Sequence, residues 1–161
     1  MIDHKWLTDV VIHLGYVGAF AAGFLGSSSL FLAIFPSYLV IPILATQLNP
    51  TIVGLLAGLG SGVGQYIHYY IGFGGRYLLS DKRKRAVDKW RNRVEKYGFW
   101  LILLFAMTPL TPDDLIWIPL GIIRYPKLKA LVGAIIGKTI LNLFYAYVGY
   151  FGFNIIVENL L

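Results

Sequence analysis

Apolar residues run in long stretches along this chain and are separated by short breaks. The stretch from about Trp6 to Gly26 has enough consecutive apolar residues for one transmembrane helix. The stretches Thr51 to Leu79 and Leu128 to Val157 predict two further long helices. Glycines spaced by four within them predict close approach of neighbouring helices, namely Gly54, Gly58 and Gly62 in the earlier stretch and Gly133 and Gly137 in the later one.

Two other apolar stretches, Leu30 to Ala45 and Phe99 to Ile123, are interrupted by prolines. Proline breaks or kinks a helix because it lacks the amide hydrogen and its ring clashes with the preceding turn. Each stretch therefore predicts a helix, a break and a second helix, forming a re-entrant hairpin that enters and leaves by one membrane face. The predicted loop breakers are Pro36, Pro42, Pro109, Pro112 and Pro119.

Basic residues flank the second hairpin on both sides. Lys96 lies just before it, and Arg124 and Lys127 follow it. Basic residues next to membrane spans favour the cytoplasmic side, so a straight crossing would put one group on the wrong side. The charge pattern and the helix breaking thus both favour a re-entrant hairpin.

The segment Ser80 to Gly98 is strongly basic and predicts a surface helix. Val87, Trp90, Val94 and Tyr97 recur at helical spacing and form a narrow apolar seam. An amphipathic helix of this kind lies on the cytoplasmic surface of a membrane. A solvated charged loop is the alternative interpretation.

Polar residues follow one side of the helix predicted from Thr51 to Leu79. In a membrane helix such a stripe faces the protein interior or a water-filled cavity. A lysine deep in the last helix, Lys138, also needs a partner, for which Asp113 and Asp114 are the candidates. The stripe comprises Ser61, Gln65, His68, Gly72 and Arg76.

Asp113 and Asp114 lie inside an apolar stretch, where a carboxylate costs about 2.5–3.5 kcal/mol on insertion scales. One interpretation is a proton acceptor in a cavity, where partial burial raises a carboxyl pKa. The other is an N-cap for the helix that follows Pro112. Both roles fit adjacent acids.

The two halves of the chain share one order of elements, a proline-containing hairpin followed by a glycine-rich helix with polar residues. This order predicts an all-α polytopic membrane protein with an inverted repeat and two opposed re-entrant helical hairpins. We expect a single membrane domain over 1–161, with one repeat half at about 27–79 and the other at about 98–158. The basic amphipathic helix, at about 80–97, lies between them.

Composition supports an integral membrane protein, because the 161 residues are 57% hydrophobic and 14% charged. The net charge is +6, and no cysteine is present, which excludes disulfides and thiolate metal sites. The start of the chain lacks a basic n-region, so the first helix is expected to be retained. No nucleotide-binding loop, metal-ligand cluster or nucleophile–base spacing appears, so neither an enzyme nor a cofactor or metal site is expected.

Five segments of the chain occur in an order that is more specific than any one of them: Phe35 to Pro42, Gly64 to Arg76, Glu95 to Gly98, Pro112 to Asp114 and Leu120 to Arg124. Together they resemble the DedA family, also called SNARE-associated or VTT-domain proteins. The resemblance extends from about Gly26 to Gly152. It implies a polytopic membrane protein with two opposed re-entrant loops that moves lipids between leaflets, and it also implies a dependence on the proton-motive force.

One position departs from the family pattern. Many relatives have an acidic residue just after the Phe-Pro-Gly of the first loop, where this chain has Tyr38. An acid in the loops is therefore supplied by Asp113 and Asp114 alone.

We predict translocation of a phosphate-bearing lipid, in particular a polyprenyl-phosphate carrier or a phospholipid. The alternative is a small-solute or cation/proton antiporter, and a third class is a membrane organiser acting through the basic helix. The expected partners are membrane lipids, with protons and a second copy of the chain left open, and not nucleic acid. The expected location is the cell membrane, with 80–97 cytoplasmic. The predicted pathway comprises Asp113, Asp114, Arg76, Arg124, Lys138, Tyr38, Gln65 and His68, of which the three cations would neutralise phosphate.

Overall fold

The structure is a computed structural model that describes the backbone of residues 4–28, 37–108 and 114–160. Within these ranges the side chains of residues 4–12, 114, 115, 156, 157, 159 and 160 are not described. The described residues are all-α and contain no strand, which confirms the all-α part of the predicted fold class. The helices are α1 (His4–Ser28), α2 (Ser37–Gln47), α3 (Pro50–Gly75), a 3₁₀ turn (Arg76–Leu78), α4 (Asp81–Asp88), α5 (Arg91–Met107), α6 (Asp114–Ile123) and α7 (Lys127–Leu160).

Helix α3 is the central element and packs against α1, α6 and α7. Asn49 caps the start of this helix, because its side-chain oxygen accepts hydrogen bonds from the amides of Thr51 and Ile52. Pro50 occupies the first turn, where its missing amide hydrogen costs nothing. Its 26 residues make it about 39 Å long, more than the hydrocarbon core of a bilayer.

Glycines on α3 bring α7 into backbone contact, as their spacing predicted. A Cβ added at Gly62 would lie 2.7 Å from the Cα of Ile135, closer than real Cβ atoms come. Because residue numbers fall along α7 as they rise along α3, the two helices are antiparallel. The facing pairs are Gly54 with Leu143, Gly58 with Thr139 and Gly62 with Ile135.

Helix α5 runs parallel to α7, since both sets of residue numbers rise together. Ile102 faces Gly133 and Ala106 faces Gly137. The last turn of α5 therefore ends about a third of the way along α7. At the other end, Gly98 of α5 packs against the ring of Tyr125, just after α6. The start of α5 and the end of α6 consequently lie at the same end of the bundle.

Two of the five prolines expected to break helices do not do so. Pro42 lies inside α2 and Pro119 lies inside α6. Both helices continue because each is packed against a glycine of a longer helix: Pro42 contacts Gly149 of α7, and Ile118, next to Pro119, contacts Gly72 of α3. Pro36, Pro109 and Pro112 lie outside the described residues.

The basic segment was predicted to form one helix, but in the structure it is divided at Lys89 and Trp90. Helix α4 ends at Asp88, and α5 begins at Arg91 and continues into the apolar stretch. Trp90 is 57% exposed, so the predicted seam is interrupted at the turn. The physical reason is packing, because Val94 contacts the buried cluster that includes Ile102 and Trp117, whereas α4 buries no residue.

The helices α2 and α6 begin 77 positions apart, at Ser37 and Asp114 (114 − 37). Helices α3 and α7 begin at Pro50 and Lys127, again 77 positions apart (127 − 50). Each short helix packs on the long helix of the other half, because α2 packs on α7 and α6 packs on α3. Pro42 and Pro119 are likewise 77 apart (119 − 42), as are Gly149 and Gly72, the glycines that contact these two helices (149 − 72).

Candidate functional site

Large apolar side chains cover much of the outside of the bundle, among them Leu14, Leu59, Trp100 and Phe144. A surface of this kind suits lipid more than water. Among the described residues, one stretch, Lys127–Ile155, is by length and composition long and apolar enough to cross a membrane.

The interior of the bundle, by contrast with the apolar surface, contains polar side chains. Five polar side chains on α3 and α7 are buried, with exposed fractions of 7% or less. Ser61 and Gln65 lie near the middle of α3, about 15–23 Å from either end, and His68 lies about 10 Å from the end at Gly75. We call this group the polar centre: Ser61, Gln65 and His68 of α3 with Lys138 and Asn142 of α7.

Hydrogen bonds join the polar centre across three helices. The Asn142 amide nitrogen donates to Ser61 Oγ at 3.2 Å and to the Lys138 carbonyl at 2.8 Å. Ser61 in turn donates to the Gly23 carbonyl of α1 at 3.2 Å. His68 Nε2 lies 3.2 Å from the carbonyl oxygen of Ser28, at the end of α1. The predicted inward-facing stripe on α3 is confirmed by this burial.

Lys138 was predicted to pair with Asp113 or Asp114, but the side chains of both aspartates lie outside the described part of the structure. Asp113 is not described, and Asp114 is known only as the residue at which α6 begins. The backbone register nevertheless places the last turn of α5 beside Gly137, next to Lys138. The described end of α5 therefore lies at the level of Lys138.

Arg76 lies away from the polar centre and joins three elements at the basic end. Its guanidinium donates to both carboxylate oxygens of Asp88 at 2.8 Å and to the carbonyl oxygen of Ile122 at 2.7 Å. Its side chain is 12% exposed. Nη2 makes both bonds to Asp88 and Nη1 makes the bond to Ile122, so Arg76 ties the end of α3 to α4 and to the end of α6 by charge-assisted hydrogen bonds.

Arg124 and Lys127 form a cationic pair at the same end. The Arg124 guanidinium lies 5.3 Å from the ring centroid of Phe73 and 5.7 Å from that of Tyr77. Lys127 Nζ lies 4.5 Å from the Phe73 centroid and 5.4 Å from that of Tyr70. Aromatic faces hold both cations at an exposed position without neutralising them.

Of the predicted pathway residues, Gln65, His68 and Lys138 are buried in the interior, whereas Arg76 and Arg124 lie at the basic end. Tyr38 lies in the first turn of α2 and is 52% exposed. Sequence reasoning did not include Ser61, Asn142 or Lys127 in the pathway. The 77-residue spacing contains a signal for the first two, because it pairs Ser61 with Lys138 and Gln65 with Asn142 (138 − 61 and 142 − 65).

These features define a helical membrane protein with a charged, hydrogen-bonded interior. The chain belongs to the VTT-domain family, whose model matches residues 7–151, and this confirms the resemblance to DedA proteins. A relative is undecaprenyl phosphate transporter A of Bacillus subtilis (strain 168), 29% identical over 157 aligned residues. The alignment covers 89% of this chain and 73% of that protein. No solved structure matches the chain.

Proposed function

We propose that this protein is a membrane transporter that moves a phosphate-bearing lipid between the leaflets, with the headgroup passing the polar centre. A polyprenyl-phosphate carrier is the first substrate to test, because the Bacillus subtilis relative is named for undecaprenyl phosphate. Family membership and that name also favour a transporter over an enzyme.

The observation that carries the proposal is the burial of Lys138 at mid-length of the bundle. A lysine at this depth is costly unless it has a counter-charge or a functional role. The neighbouring Asn142, Ser61, Gln65 and His68 supply further hydrogen-bonding groups. A cation with surrounding donors is the chemistry that stabilises a phosphate in a medium of low dielectric constant.

The proposed topology is a multi-pass inverted repeat with two re-entrant hairpins and the basic end in the cytoplasm. The exchanged packing and the 77-residue spacing support the repeat. The shared end of α5 and α6 supports the second hairpin, since both of its ends carry basic residues. Broken backbone at membrane depth then lines a cavity, not lipid.

Within this frame the predicted residues take different roles. Arg124 and Lys127 are exposed and collect phosphate at the boundary, whereas Arg76 holds the helices at that boundary together. Lys138 meets the headgroup in the centre. An exchange of a proton or an ion pair with Asp113 or Asp114, near the turn of the hairpin, completes the proposed cycle.

The test is a proteoliposome assay of fluorescent polyprenyl-phosphate exchange between leaflets. Lys138→Met is expected to slow exchange at least about tenfold, because a buried charge–phosphate contact contributes about 1.5–3 kcal/mol. Lys129→Met is the matched control, since Lys129 lies on the same helix but is exposed. Equal exchange by the two variants would contradict the proposal.

Proton coupling is tested by imposing a pH gradient on the same vesicles. A gradient is expected to bias exchange in the wild type and not in a variant carrying Asp113→Asn and Asp114→Asn. If the vesicles release a cationic solute in exchange for protons and move no lipid, the protein is an antiporter and not a lipid transporter.

A further inference from the structure

A narrow apolar groove lies between the two arms of the second hairpin. Helices α5 and α6 make few contacts with each other, and a cavity of about 210 Å³ separates them. Its lining is almost wholly apolar. It opens to the lipid-facing surface at Leu101 and Pro119, both exposed. We call this the α5–α6 groove, lined by Val94, Leu101 and Phe105 of α5 and by Ile116, Pro119 and Ile123 of α6.

A cationic surface pocket of about 310 Å³ lies at one end of the groove. It is lined by Lys89, Trp90 and Arg93, and the Arg93 guanidinium lies 5.4 Å from the Trp90 ring centroid. The pocket and the groove are adjacent along α5, because Trp90 of the pocket and Val94 of the groove lie one helical turn apart, the Val94 amide bonding the Trp90 carbonyl at 3.0 Å. From Val94 to Phe105 the groove extends about 16 Å toward the middle of the bundle.

The acids near this pocket are already paired elsewhere. Asp88 pairs with Arg76, and Glu95 pairs with Arg91 at 2.8 Å. Within the part of the chain that the structure describes, Lys89 and Arg93 therefore carry two positive charges that no ion pair compensates. An anion of about two charges fits this pocket.

We propose that the pocket and the α5–α6 groove together form a docking site for a single-chain lipid phosphate monoester. A terminal phosphate carries a charge of about −1.5 to −2 at neutral pH, which matches the two cations. A single apolar chain suits a groove smaller than the roughly 300–1,000 Å³ of sites that enclose a whole drug-sized ligand. The site deepens the proposed function and rests on it: it receives the lipid on the basic side before the headgroup reaches the polar centre.

The test uses nanodiscs and geranylgeranyl monophosphate with a diazirine at the far end of its chain. Photolabelling is expected on peptides of α5 and α6 and is expected to be displaced by unlabelled geranylgeranyl monophosphate. Leu101→Trp fills the groove and should lower labelling at least about fivefold. Leu104→Trp is the matched control, because Leu104 is exposed on the same helix but does not line the groove.

The headgroup pocket is tested with Arg93→Gln. This variant is expected to need about fivefold to tenfold more unlabelled geranylgeranyl monophosphate to halve the labelling, the range of one charge-assisted contact near water. Arg83→Gln, an exposed arginine on α4 outside the pocket, is the control and should leave that amount unchanged. Diazirine-labelled phosphatidylglycerol, with two chains and a phosphodiester, is expected to label the same peptides weakly.

Equal labelling of the Leu101→Trp and Leu104→Trp variants would overturn the site. So would stronger labelling by phosphatidylglycerol than by the monophosphate. Because labelling measures binding without transport, it separates the two proposals. Site-specific labelling without leaflet exchange would contradict the transport function alone, and normal exchange in Leu101→Trp with unchanged labelling would contradict the site alone.

Discussion

Arg124 shows how a single residue can depart from sequence rules. It adopts a φ of 59°, the left-handed conformation that usually falls to glycine at the end of a helix. Its amide bonds the Gly121 carbonyl and that of Tyr125 bonds the Leu120 carbonyl, which is the Schellman pattern. The conformation costs an L-residue about 1–2 kcal/mol. No sequence rule would place an arginine there, and the Arg124 side chain lies over the rings of Phe73 and Tyr77 at the basic end.

Two buried tyrosines beside this turn have opposite hydrogen-bonding states. Tyr69 donates to the Tyr125 carbonyl at 2.6 Å, whereas the Tyr125 hydroxyl is buried and has no hydrogen-bond partner in the described structure. Burial raises the pKa of the Tyr125 phenol, and the Glu95 carboxylate raises it further, so the hydroxyl stays neutral.

Replacing each tyrosine by phenylalanine should therefore change the stability of the protein in opposite directions. Tyr69→Phe is expected to destabilise the protein by about 1–2 kcal/mol, because it leaves a buried carbonyl unpaired. Tyr125→Phe is expected to be neutral or to stabilise by up to about 1 kcal/mol, because it removes an unsatisfied hydroxyl. Thermal unfolding in detergent measures both, and a larger loss for Tyr125→Phe would contradict this account of the turn.

At the scale of helices, sequence periodicity predicted α1, α3 and α7 well because each has a long apolar pattern and glycines at regular spacing. It failed at Pro42 and Pro119, where propensity predicts a break. Tertiary packing decides there, since a facing glycine lets the proline-containing helix approach closely. The division at Trp90 was missed for a related reason, because it depends on how α5 packs and not on local composition.

The crossing of α3 and α6 gives a direct test of this packing. A Cβ at Gly72 would overlap the carbonyl oxygen of Ile118, so Gly72→Ala should destabilise by at least about 1–3 kcal/mol and push α6 away. Gly74→Ala, two positions along the same helix, meets open space and should be neutral or stabilise by up to about 1 kcal/mol. Unfolding midpoints in detergent compare the two, and similar losses would contradict the tight crossing.

At the scale of the whole molecule, the order of elements predicted two related halves, but which side chains meet could not be predicted. The meeting of Asn142 with Ser61 depends on the register of α3 against α7, which glycine contacts set and no periodicity reports. The burial of Lys138 was predictable because a lysine far inside an apolar stretch has few other places to lie. The proposed sites at Lys89, Arg93 and the α5–α6 groove depend on gaps between helices, which a sequence does not contain.

The topology can be tested in this cysteine-free chain by labelling single cysteines in sealed vesicles. Lys96→Cys and Lys127→Cys are expected to react with a membrane-impermeant maleimide from one side. Gln47→Cys, at the far end of α3, should react from the other side. If Lys96→Cys and Lys127→Cys react from opposite sides, the second hairpin crosses the membrane and the re-entrant topology is wrong.

The exchange of α2 and α6 between the long helices has a consequence for how the chain reaches its folded state. Each short helix meets its glycine on the long helix of the other half, so one half alone would leave these contact surfaces uncovered. Neither half is therefore expected to be stable as a separate chain, and the two should fold only together.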